Sequence, residues 1–212
     1  MPDTPQLVEP GDESEFAFAR FVSLLGVTPK NPGTFFPGET VSLPVAWQSW
    51  SDSYFSLVIA PAFVATFQEG MASRTDEIVE IDRNLGKSFP DEMLGRSRLA
   101  GEPFFEGKEE MRANRAWKRY SSAVAEGNAP GNLPIVFALQ SALFQLPLPP
   151  ALGAYAWFEL RTRNASRDDG MLKNEASEEE KSLFSEILPK VAVAVGGNFG
   201  EFGDDPGPLR SV

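Results

Sequence analysis

Glu159 is the carboxylate whose neighbours could change its chemistry. It stands two residues from Trp157 and two from Arg161, in the run GAYAWFELRTRN that begins at Gly153. A carboxylate held among aromatic rings loses hydration and keeps its proton to higher pH, the condition for a general acid. Set against a second, ionised carboxylate, it could cleave a glycosidic bond. Trp157, Glu159 and Arg161 are therefore the cleft candidates of a carboxylate-based hydrolase or small-ligand-binding protein. The plainer reading of Glu159 is a structural ion pair with Arg161 or Arg163, or exposure on a strand edge. Tyr54, Tyr120 and Tyr155 could form a general-acid pair with Lys87 or Lys190, but no spacing singles them out, and no catalytic residue is assigned.

The chain has no histidine and no cysteine. That excludes a Ser-His-Asp triad, an imidazole base, a thiol nucleophile, and any metal site built on imidazole or thiolate. The oxygen-rich segment NASRDDGMLKNE, from Asn164, resembles a calcium loop in composition, but its glycine falls at the seventh place where an EF-hand needs the sixth. It reads as a tight turn. No metal and no cofactor is expected, and the balance of residue types weighs against an enzyme.

The most basic segment, residues 108–120, interleaves Lys108, Arg112, Arg115, Lys118 and Arg119 with Trp117 and Tyr120. Such interleaving can bind phosphate or stack on bases. Yet residues 71–127 hold ten basic and eleven acidic groups, so they form no basic domain able to release counterions from nucleic acid. A solvated helix face with its aromatics buried explains the pattern, and docking to an acidic partner is the functional alternative.

Aromatics gather instead at a turn. In WQSWSDSYF, Trp47, Trp50, Tyr54 and Phe55 fall within nine residues, and GTFFPG places Phe35 and Phe36 between turn glycines. Aromatic side chains on loops anchor protein interfaces, although they also fill cores. These six residues are the interface candidates.

The net charge is −11, and the first 70 residues alone carry −6. An acidic surface of that size raises acidic mimicry of nucleic acid as a weaker alternative. Residues 1–13 and 203–212 are expected to be flexible tails, and the amino terminus shows no signal-peptide pattern. From Gly127 to Phe158 there is no charged residue. Proline interrupts this stretch, leaving at most twelve residues without one (135–146), too few to span a bilayer. No membrane insertion is expected, and a cytoplasmic location is.

The uncharged stretch reads as two buried strands joined by a proline corner. Alternation of Val41, Leu43, Val45 and Trp47 with Ser42, Pro44, Ala46 and Gln48 predicts another strand. Residues 54–60 and 62–68 predict two more, or one bent at Pro61, and residues 16–25 a further strand or short helix. Helical spacing appears at residues 75–85, with Thr75 or Ser73 as N-cap and Gly86 as C-cap, and again at 108–126. A third helix opens on a Ser177–Glu180 capping box and ends at Pro189, before a short strand. The fold class that follows is α+β: an antiparallel β-sandwich or barrel-like module with a helical insertion at 72–127 and a C-terminal helix, all within one domain at 14–202. The proline corner followed by G-x-Y-x-W resembles the late strands of immunoglobulin-like sandwiches in general architecture, without their Cys-Trp-Cys spacing.

On this reading the chain is a non-enzymatic binding or assembly module that docks to a protein partner through its aromatic loop residues. Nothing in the sequence fixes the oligomeric state.

Overall fold

Proline placement decides what the uncharged stretch becomes. In a computed structural model, which describes residues 31–37, 40–105, 114–163 and 176–196, it forms two helices. Pro134 sits in the first turn of one, and Pro149 and Pro150 in the first turn of the next. There the missing N–H would have been unpaired anyway and the fixed φ favours the helix, so proline starts these elements rather than breaking them.

In chain order the elements are α1 (Leu43–Trp50), a π-helical segment (Ser51–Ile59), α2 (Ala60–Met71), α3 (Thr75–Ser88), α4 (Asp91–Gly101), a 3₁₀ turn (Glu102–Phe105), α5 (Arg115–Ala125), α6 (Leu133–Leu143), α7 (Leu148–Thr162) and α8 (Glu178–Ala194). There is no strand among the described residues. The expected β-sandwich, with its immunoglobulin-like architecture, is therefore overturned: the described fold is all helical. The supposed strands at 41–48, 54–68, 135–146 and 153–163 lie in α1 through α2, in α6 and in α7, and the expected helical insertion is simply part of a helical body.

The core sits on α6 and α7. Every residue from Leu133 to Ala142 is buried, as is every residue from Ala151 to Thr162. A helix apolar all round belongs at the centre of a bundle, and α6 accordingly packs against α2, α3, α4 and α7. Phe137 of α6 is the hub. Its ring centroid lies 5.5 Å from Tyr155, 5.7 Å from Phe158, 5.9 Å from Phe104 and 6.2 Å from Phe63.

Residues 43–71 wind as one rod whose middle third widens to π geometry, with the Ala60 amide bonding the carbonyl of Phe55, five residues back. The widening ends just before Pro61, whose ring would clash with the carbonyl four residues behind it in a regular α-helix. Helix α8 likewise does not stop at Pro189 but runs on to Ala194, so the short strand expected there is also overturned. Pro189 and Ser185, four residues back, both lie on the exposed side of α8.

The expected helices at 75–85 and 177–188 are present. Asp76 and Glu77 occupy the first turn of α3, but Gly86 lies within α3, which runs on to Ser88. Ser177 and Glu180 close a reciprocal capping box on α8. Helix α5 is capped by Asn114, whose side chain accepts from the amides of Ala116 and Trp117; the earlier part of that expected helix, the calcium-like segment, residues 16–25 and both expected tails lie outside the described residues.

Candidate functional site

A groove of about 420 Å³ opens between the segment 34–37, α1 and α4. Buried Phe35, Trp50 and Met93 form its floor, and exposed Phe36, Val41 and Val45 its lip. The lip residues are 43%, 44% and 61% exposed, which for apolar side chains in one place is a solvation cost without a structural return. Tyr54 and Arg96 also line it, and Arg96 lies over the Phe36 ring with its guanidinium carbon 5.1 Å from the ring centroid.

The floor is backed by an aromatic stack built on helical spacing. Trp47 and Trp50, three residues apart on α1, stack at 4.9 Å between centroids, and Phe35 meets the edge of Trp47 at 4.9 Å. The Trp47 indole N–H donates to the Leu183 carbonyl of α8 at 2.8 Å, and Lys190 of α8 pairs with Asp52 at 2.6 Å. That ion pair, together with a hydrogen bond from Gln48, holds the Asp52 carboxyl below its ordinary value. Helix α8 thus braces the rod from behind.

The segment that carries Phe35 and Phe36 is held by Glu159. This fully buried carboxylate of α7 accepts from the Thr34 amide at 3.1 Å, the Thr34 hydroxyl at 2.8 Å, the Phe35 amide at 2.9 Å and the Tyr155 hydroxyl one turn back. Thr34 in turn accepts from the Trp50 indole at 3.2 Å. Gly33 is required beside it, because a Cβ there would run into the Glu159 carboxylate. Burial raises the Glu159 pKa above its ordinary value, opposed by the hydrogen bonds from Phe35, Tyr155 and Thr34, and the same burial with the adjacent carboxylate drives the Tyr155 hydroxyl well above its own. Four donors around one carboxylate leave no room for substrate. The geometry is that of a clamp.

A second buried carboxylate, Asp82 of α3, plays the same part across the fold. It accepts from the Tyr120 hydroxyl at 2.8 Å, the Gly131 amide at 2.8 Å and the Asn132 amide and side chain, tying α3 and α5 to the start of α6. Burial again raises its pKa despite these bonds. At the far end of α7, Glu180 bridges Arg161 at 3.0 Å and Arg163 at 2.7 Å while also capping α8. Burial would raise its pKa, but Arg163, the Ser177 amide and the charge of Arg161 together bring it below the ordinary value.

Of the six interface candidates, Phe36 stands at the groove lip, Tyr54 lines it half-buried, Phe35 and Trp50 form its floor, and Trp47 and Phe55 are buried behind it. Of the cleft candidates, Glu159 is in the clamp, Arg161 in the Glu180 bridge, and Trp157 is packed edge-on against Phe184 at 4.8 Å. None of the three lines the groove. Trp117 and Tyr120 are buried on the inner side of α5, with Arg115, Lys118 and Arg119 outside. Val41 and Val45, read in the sequence as part of a strand, and Met93 and Arg96 are not among the sequence-based site candidates. On a helical reading of 43–50, Val45 falls on a face apart from Trp47 and Trp50.

Among the described residues no cluster of three or more acidic side chains is arranged to hold a metal ion, and no helix is long and apolar enough to cross a membrane. Residues 44–162 match the UreF family, and the chain belongs to that family. The UreF family comprises helical urease accessory proteins that bind partner proteins, so a role in assembly through partner binding accompanies membership. The chain has no significant match among curated proteins or solved structures.

Proposed function

We propose that this chain serves urease assembly as a non-enzymatic accessory protein, in the cytosol, and that it receives its protein partner in the groove between the segment 34–37, α1 and α4. The observation that carries the reading is the pairing of an exposed apolar lip with a rigid floor. Phe36, Val41 and Val45 face water while Glu159, buried and fully hydrogen-bonded, fixes the segment bearing Phe36. Preformed apolar grooves with aromatic floors are where interface energy concentrates, because little ordering entropy remains to be lost on binding.

The test is titration calorimetry between this protein and the purified urease apoprotein carrying the remaining accessory proteins of the same source. Changing Phe36 and Val45 together to Ser should weaken that association at least tenfold without lowering the thermal midpoint. Unchanged affinity would remove the groove from the reading.

A further inference from the structure

We infer that the partner segment received in the groove carries a carboxylate beside its apolar anchor, and that Arg96 receives it. This rests on the groove being the docking site. Arg96 is the single charged side chain among the described residues that line the groove. Its present hydrogen bonding is incomplete: one guanidinium nitrogen, Nη1, meets Glu92 at 2.6 Å, while Nε is buried and donates to no acceptor. Glu92 is a weak holder, its side chain 83% exposed against 20% for Arg96. An exposed i, i+4 pair of this kind contributes little and gives way easily. A guanidinium presents donors in a fixed fork that matches the two oxygens of a carboxylate. Here the guanidinium is held over the Phe36 ring at the groove wall, and the exposed Glu92 is the one acceptor it meets among the described residues.

Charge and polarity then define what fits. The lip and floor select an aliphatic or aromatic side chain, and Arg96 selects an anion next to it. A basic or purely apolar segment would leave the Arg96 charge covered by the docked partner with only the exposed Glu92 to balance it, a desolvation cost that a partner carboxylate offsets. The occupant is thus an apolar and acidic segment of a protein partner, with its carboxylate exchanging for Glu92.

Two measurements on the full chain decide it, both using the purified urease apoprotein with its accessory proteins as the probe. Arg96→Gln should weaken binding at least tenfold and flatten its dependence on salt, with Arg96→Lys weakening it less. In the double variant Glu92→Gln, Arg96→Lys, carbodiimide coupling should join Lys at position 96 to an Asp or Glu of the partner, read by mass spectrometry of the linked peptides. If Phe36→Ser, Val45→Ser weakens binding while Arg96→Gln does not, the groove stands and the carboxylate inference is overturned. Coupling to a second copy of this chain, or no coupling in a complex that still forms, overturns it as well. Failure of the lip variant to weaken binding would instead remove the docking reading itself.

Discussion

Replacing Glu159 with Ala tests whether the clamp holds the groove wall. The substitution leaves two backbone amides, Thr34 and Phe35, buried without an acceptor, whereas the hydroxyls of Thr34 and Tyr155 can turn to seek others. An orphaned buried donor costs about 1–3 kcal/mol, so the two amides together place the loss at about 2–5 kcal/mol after allowance for no longer burying a charge. That is a large share of a stability that for domains of this size is about 5–15 kcal/mol. Urea denaturation at neutral pH, followed by far-ultraviolet circular dichroism, measures it. The effect should be local as well as global, since Thr34 also accepts from the Trp50 indole at the groove floor. Hydrogen exchange at the Thr34 and Phe35 amides should rise well above any change in α6. A loss below about 1 kcal/mol with unchanged exchange at those amides would refute the reasoning, because orphaned buried donors cannot be that cheap.

Glu159→Gln isolates the pH dependence of the same site. A carboxyl whose folded pKa is raised contributes stability below its unfolded value, taken as 4.5, that is lost as pH rises through the folded value. The stability of the native protein relative to this variant should therefore fall as pH is raised from 4.5, by at most about 1.4 kcal/mol per pH unit in denaturation midpoints taken across that window. Glu180→Gln has the opposite sign. Its lowered pKa gives stability that is present above 4.5 and is lost as pH falls, so the variant's deficit, about 2–4 kcal/mol at neutral pH from stranding Arg161, should shrink on acidification. Gly101→Ala would bring a Cβ within 2.5 Å of the Gly131 carbonyl, backbone against backbone, and should cost about 1–3 kcal/mol in thermal unfolding.

Much of the local architecture was legible and the fold class was not. The capping box of Ser177 and Glu180 and the acidic first turn of α3 identify themselves because caps depend on a few residues in sequence. Helices α6 and α7 do not, since burial on every side erases the 3.6-residue period that distinguishes an amphipathic helix from a strand. Proline then misleads: Pro44, Pro134, Pro149 and Pro150 all lie in first turns, where proline is welcome, yet read in a sequence as breaks and corners. The apparent alternation of Val41, Leu43, Val45 and Trp47 is accidental, because α1 buries Trp47 and Trp50, three apart, and leaves Val45 in water.

The site was half visible. Glu159 stood out for its aromatic neighbours and is indeed buried with a raised pKa, but the groups that surround it, Thr34 and the Phe35 amide, lie more than 120 residues away in sequence. No local pattern reports such a pairing. Of the turn aromatics, Phe36, Trp50 and Tyr54 line the proposed groove; Met93 and Arg96 arrive there only because α4 folds across it.

Hydroxyl-radical footprinting of the chain alone and in complex with the urease apoprotein and its accessory proteins tests the central claim most directly. Phe36, Val41 and Val45 should lose most of their oxidation on binding, while Met71 and Val193, exposed elsewhere, serve as references. Protection confined to the groove lip is the result expected. Unchanged oxidation at Phe36 and Val45 in a complex that protects some other face would contradict it.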